Sequence, residues 1–195
     1  QATYATNATY QQLRSWDCVG LPYLGVTDVL SDDADKGSTP NDALYMLEMD
    51  NFIFTPTNTT SSSVWRGYYR VIARANLAIQ RIPDVPGMDE TLRNRLLGEN
   101  KFLRAYAYLM LVQWFGDIPV ITEPLTDDEY YAQKRQPVAD VYALIESDLQ
   151  AAAAGLPLKS KYASADLGRA TKGAAQSLLA KLYMVKHDYV KAEQM

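Results

Sequence analysis

The sequence contains one cysteine, Cys18, and one histidine, His187. A single cysteine excludes an internal disulfide and gives no information on redox compartment. His187 falls in a helix turn with no recognisable serine or cysteine partner, and the chain has neither a Gly-rich phosphate loop nor a Cys/His metal spacing. Nucleophilic catalysis of the triad type therefore has nothing to use, and no catalytic residue, cofactor or metal is expected. Basic residues are also short, 19 against 23 acidic for a net charge of −4, so a phosphate backbone would be repelled and no nucleic-acid partner is expected. No apolar run reaches the roughly 18 residues of a membrane span.

What is present is a globular composition. Of 195 residues, 48% are hydrophobic and 14 are tyrosine, enough to bury a real core. The charge is uneven. From Asp28 to Asp50 seven acids (Asp28, Asp32, Asp33, Asp35, Asp42, Glu48, Asp50) face Lys36 alone, and the rest of the chain is close to neutral.

Periodicity predicts a mainly α protein with a long irregular N-terminal region. A short helix covers 4–16, after which Gly20, Pro22 and Gly25 interrupt any regular pattern as far as the polar stretch 55–63. Trp16, Tyr23, Tyr45, Phe52 and Phe54 fall in this region, and aromatics at that density argue for order. Ser63 is then expected to cap a helix with Trp65, Tyr69, Ile72, Asn76 and Ile79 on one stripe and Arg66, Arg70, Arg74 and Arg81 opposite. The next helix, from about Asp89 to Phe115, becomes apolar on nearly every side after Phe102 and so should be surrounded by others. Glu99 lies on its packing face and needs a partner. Further helices are expected from Pro137 to before Gly155, from about Thr171 to Lys186, and after a cap at Asp188. That last helix is too short to bury its own face, so the natural chain is expected to continue.

Two helix ends, "AYLMLVQWFGDIP" and "SLLAKLYMVKHDY", each place an apolar run before a turn containing Asp117 or Asp188. Their separation is close to two tetratricopeptide (TPR) periods of roughly 34 residues, which predicts stacked helical hairpins.

With "WRGYYRVIARANLAIQRIPD", "GENKFLRAYAYLMLVQWFGDIPVIT" and "GRATKGAAQSLLAKLYMVKHDYVKA" in this order, and "DVLSDDADKG" upstream, the chain resembles the SusD/RagB family of outer-membrane nutrient-binding lipoproteins. The resemblance implies a TPR-like hairpin scaffold over 64–195, preceded by a short helix and irregular loops over 1–63, the whole being the N-terminal part of a longer protein. It also implies a lipid-anchored cell-surface protein of the outer membrane that captures glycans or other nutrients for a TonB-dependent transporter of the SusC type. Contact with the membrane would be made only through a lipid anchor outside this sequence. The lipidated N-terminal cysteine of the family has no counterpart, since Cys18 lies inside the chain.

Sugar recognition needs flat apolar faces with polar groups at their edges. The candidates are Trp16, Tyr23, Tyr45, Phe54 and Asn58, in the irregular region; Trp65 and Trp114 lie on packing stripes and are expected in the core. Asn76, Glu99 and Arg104 match family signature positions and are expected to form a structural polar network rather than a ligand site. The acidic segment does not follow EF-hand spacing, so its acids are expected to solvate a loop or to face Arg66, Arg70 and Arg74 rather than bind calcium. Two other classes of function stand beside glycan capture: a TPR adaptor gripping a protein segment, and a helical glycosidase with a carboxylate pair.

Overall fold

The computed structural model describes residues 1–53 and 55–195. Helices make up most of it: α1 Ala2–Leu13, α2 Trp16–Val19, α3 Leu21–Leu24, a π turn Gly25–Val29, α4 Leu44–Asp50, α5 Thr59–Arg81, α6 Glu90–Phe115, α7 Asp127–Tyr131, α8 Val138–Gly155, α9 Lys172–Val185 and α10 Tyr189–Gln194. Strand-like pairing among the described residues is limited to one antiparallel bridge, Ile118 with Gln136. No helix among them is long and apolar enough to cross a membrane.

Side-chain caps start several helices because the first N–H groups of a helix have no internal partner. Asp89 accepts from Leu92 N at 2.9 Å to open α6, Thr171 from Ala174 N at 3.1 Å to open α9, and Asp188 from Lys191 N at 3.2 Å to open α10. Helix α5 corrects the expectation. It begins at Thr59, not after Ser63, because Asn58 Oδ1 accepts from Thr60 N at 2.8 Å and Ser61 N at 3.4 Å. The Thr/Ser run that reads as a loop by composition becomes helical once that cap satisfies its free donors.

The chain divides into two compact units, Gln1–Thr9 with Val71–Met195, and Tyr10–Arg70. In the first, α6 packs on α8, α8 on α9 and α9 on α10, a TPR-like succession. Helix α6 is buried over most of its later turns, through Leu96, Leu103, Ala105, Ala107, Tyr108, Leu109 and Leu111, but the expectation that it is enclosed all round is corrected by the half-buried stripe of Phe102, Tyr106 and Met110. Its approach to α8 is set by glycine, since a Cβ on Gly155 would stand 2.8 Å from the Asn94 carbonyl oxygen.

In the second unit the expected irregular stretch is built of short helical pieces. Gly20 ends α2 and opens α3, and Pro22 occupies the first turn of α3, where its missing N–H is not needed. Glycine and proline thus punctuate the helices here without abolishing them. The π turn and α4 bury Val29, Met46 and Met49 together.

Candidate functional site

Asn76 of α5 and Arg104 of α6 belong to one buried chain of hydrogen bonds. Arg104 donates through Nε and Nη2 to the two carboxylate oxygens of Asp148 in α8, at 2.7 and 2.8 Å, and through Nη1 to Asn76 Oδ1 at 2.8 Å. Arg104 Nη1 also reaches the Thr122 carbonyl at 3.1 Å, while Asn76 Nδ2 donates to the Ile121 carbonyl at 2.9 Å. Tyr108 holds the same residue twice, donating to Ile121 O at 2.8 Å and accepting from Ile121 N at 2.7 Å. Burial pushes the Tyr108 phenol well above the usual tyrosine range, so it stays a donor. The segment after "FGDIP" is thereby fastened to the helices. Asp117 within it accepts from Val138 N at 3.0 Å and caps α8, the counterpart of the cap that Asp188 supplies to α10.

Glu99 lies in a second network. Fully buried on α6, it pairs with Arg169 Nη1 at 3.0 Å and with Arg95 at 3.4 Å, and both arginines also hold Asp166. Arg95 first, and Arg169 with it, hold the Asp166 carboxyl below its ordinary range. Arg169 further donates to Asn7 Oδ1 at 2.9 Å, tying the loop before α9 to α1. Asp148 and Arg169 escape sequence reading because their partners lie 44 and 70 residues away. Asp148 alone left a trace, as a charge beside Ile145 and Leu149 on the packing face of α8. Buried ion pairs of this kind hold helices in register.

The ligand candidates Trp16, Tyr23, Tyr45 and Asn58 all lie in the unit Tyr10–Arg70. Phe54 is outside the described residues. Trp16 is 63% exposed, and its ring lies against Gly20, where a Cβ would come within 2.5 Å of indole Cδ2. Tyr23 and Tyr45 are half-buried. Asn58 is turned inward: besides capping α5, its Nδ2 donates to Tyr45 O at 2.9 Å and to Glu48 Oε2 at 2.7 Å, so it anchors α4. Trp65 and Trp114 are half-buried, and the Trp65 ring packs on Tyr69 at a 45° tilt with centroids 4.8 Å apart. Phe52, which the sequence did not single out as a contact residue, is 58% exposed with φ of 57°. A non-glycine residue in that region costs about 1–3 kcal/mol, and such strain collects at functional turns. Ala43 at the other end of α4 is also left-handed, with φ of 45°.

Of the two outcomes expected for the acidic segment, the structure shows solvated acids and not a pairing with the arginine ridge. Asp28, Asp32, Asp33, Asp35 and Asp42 are exposed, while Arg66 and Arg70 turn to Asp17 at 3.4 and 3.5 Å and Arg74 donates to Ala8 O at 2.8 Å. Asp17 wins because α2 is seated directly on α5: a Cβ on Gly67 would stand 2.7 Å from Asp17 Cβ. Among the described residues no three His, Cys, Asp or Glu side chains converge as a metal site would need.

Residues 25–184 match the SusD-like family described as starch-binding and associating with the outer membrane. The chain belongs to the SusD-like family. SusD-like protein P2 of Formosa agariphila is 32% identical over 85% of this chain and 31% of its own length, and SusD-like protein P25 of the same organism is 34% identical over 66% and 24%. Among solved structures, a laminarin-binding SusD-like protein superposes with a TM-score of 0.86 at 32% identity, covering 98% of this chain and 41% of that one. Surface glycan-binding protein A of Bacteroides uniformis superposes with a TM-score of 0.82 at 26% identity, over 96% and 42%. The chain thus spans well under half the length of these SusD-like relatives.

Proposed function

We propose that this SusD-like chain captures glycans at the cell surface for import, performing no chemistry itself. The observation that carries the reading is the exposed indole of Trp16, held against Gly20 in the unit that also carries Tyr23, Tyr45 and the exposed Phe52. An aromatic ring fixed in place stacks on a sugar without first losing rotamer freedom. Asn58 serves this surface indirectly by bracing α4, whose first turn bears Tyr45. The two ionic networks belong to the helical scaffold, and Asn76, Glu99 and Arg104 keep its helices in register. The likeness to a laminarin-binding SusD-like protein and to a surface glycan-binding protein supports a polysaccharide as the ligand class. Outer-membrane location, a lipid anchor and a TonB-dependent SusC-type transporter as partner follow from the family and form part of the proposal.

A glycan array probed with the labelled chain tests it. Retention on one or more oligosaccharides is expected, weakened by Trp16→Ala, with Asn76→Ala binding normally per folded molecule. An array on which nothing is retained, while the protein is folded by circular dichroism, overturns the reading.

A further inference from the structure

The connection from α6 to α8 carries an aromatic pair outside the ligand candidates. Tyr130 is 55% exposed and Tyr131 85%, both on α7. Their rings meet edge to face, with centroids 5.6 Å apart and planes at 88°. Such a contact fixes one ring against the other and covers at most one of the four ring faces, so flat apolar surface stays open to solvent. Among the described residues neither phenol hydroxyl has a protein partner. The segment bearing α7 is moored at both ends. Before it, Ile121 is held twice by the Tyr108 hydroxyl and once by Asn76 Nδ2 at 2.9 Å. After it, Gln136 and Ile118 exchange backbone hydrogen bonds of 2.9 and 3.2 Å, and Arg135 Nη1 donates to the Asp117 carbonyl at 2.7 Å. Helix α7 is itself closed by Glu129 Oε2, which accepts from Thr126 N and Oγ1, both at 2.8 Å, and by Gln133 Nε2, which donates to Glu129 O at 2.9 Å. The two rings thus stand on a braced support, and a ligand that meets them has little freedom to remove.

Resting on the glycan reading above, we infer that Tyr130 and Tyr131 form a second saccharide platform, carried by the helical unit and not by residues 10–70, that takes an uncharged pyranose. The C–H face of the sugar stacks on an open tyrosine face. The phenols, each both donor and acceptor, exchange hydrogen bonds with the sugar hydroxyls. Local charge selects neutral sugars. Between 123 and 135 the acids Glu123, Asp127, Asp128 and Glu129 stand against Lys134 and Arg135, so a uronate or sulfate meets a net negative field. The surroundings also favour a sugar over a protein face. The exposed residues flanking the pair, Thr126, Asp127, Asp128, Glu129 and Lys134, are polar, whereas a stable protein interface needs a broad patch with an apolar centre. One sugar ring needs no more than an aromatic face with polar groups at its edge.

Affinity electrophoresis of the whole chain through gels containing laminarin, starch, polygalacturonate or carrageenan tests the platform. Retardation by a neutral polysaccharide and not by an acidic one is expected. Tyr130→Ala combined with Tyr131→Ala should weaken that retardation about tenfold, the scale of a lost aromatic anchor. Melting temperature, read in parallel, should stay unchanged because both rings are exposed. Tyr131→Phe, which keeps the ring face, should keep most of the retardation. Trp16→Ala should leave a residual retardation that disappears when Tyr130→Ala and Tyr131→Ala are added to it. Wild-type retardation in the protein lacking both tyrosines, complete loss in Trp16→Ala alone, or stronger retardation by the acidic polymers overturns the platform while leaving glycan capture standing. Absence of retardation by all four polymers and of any array signal overturns both.

Discussion

Arg104 and Asp148 join α6 to α8 through two parallel hydrogen bonds of 2.7 and 2.8 Å, with both side chains less than a tenth exposed. The third guanidinium nitrogen continues the chain to Asn76, so three helices and the segment 121–122 depend on one planar group. Removing one member of such a pair leaves a charge in the interior with nothing to balance it. Asp148→Ala should therefore cost about 3–5 kcal/mol in urea unfolding. Arg104→Met combined with Asp148→Leu should recover much of that loss, because the desolvation cost disappears with the charges. A double variant no more stable than Asp148→Ala would show that the pair contributes more than charge neutralisation.

Asn76 contributes less. Its amide joins the Arg104 guanidinium to the Ile121 carbonyl, and Asn76→Ala should lower stability by about 1–3 kcal/mol, the cost of an unsatisfied buried group. Glycan affinity per folded molecule should stay the same. A selective loss of affinity would move Asn76 from scaffold to ligand site.

The sequence showed where polar groups were forced into packing faces but not what they met there. Asn76 and Glu99 are legible because each interrupts an apolar stripe at helical spacing, and a buried amide or carboxylate must be paired. Arg169 and Asp166 are partners brought in by packing across 70 and 71 residues, and no local pattern marks them; Asp148, 44 residues from Arg104, shows only as a charge on the packing face of α8. The helix starts at Asp89, Thr171 and Asp188 could be read because a cap and the backbone N–H that donates to it lie within three residues. The start of α5 was missed because Asn58 caps a run whose own composition favours a turn. The short helices after Leu13 were hidden by Gly20 and Pro22, which mark loops and helix ends alike.

The Glu99 network should make the protein acid-sensitive. Asp166 has its folded pKa depressed by Arg95 and Arg169, so its contribution is complete above the ordinary carboxylate value and is lost as pH falls through the lower folded value. Glu146, held down chiefly by its hydrogen bond from Lys186 in the α8–α9 pair, acts in the same direction. Thermal melts should show stability falling as pH drops below about 4, the usual carboxylate range. Asp166→Asn should flatten that slope; an unaltered slope would exclude Asp166 as a contributor.

Asn58→Ala removes the cap of α5 and both hydrogen bonds to α4. Losing such a cap costs about 0.5–2 kcal/mol. Hydrogen exchange should accelerate at Thr60 and Ser61 and at α4, while α8 and α9 keep their protection. Uniform acceleration throughout the chain would show that the tether governs global stability and not the local bracing of α4.

The central claim is that the unit containing Trp16 grips saccharide. Isothermal titration of the chain with the oligosaccharide best retained on the array, for wild type, Trp16→Ala and Tyr45→Ala, tests it most directly. Saturable binding by the wild type, weakened about tenfold or more by Trp16→Ala at unchanged melting temperature, is the predicted result. Equal affinity in all three proteins would contradict it.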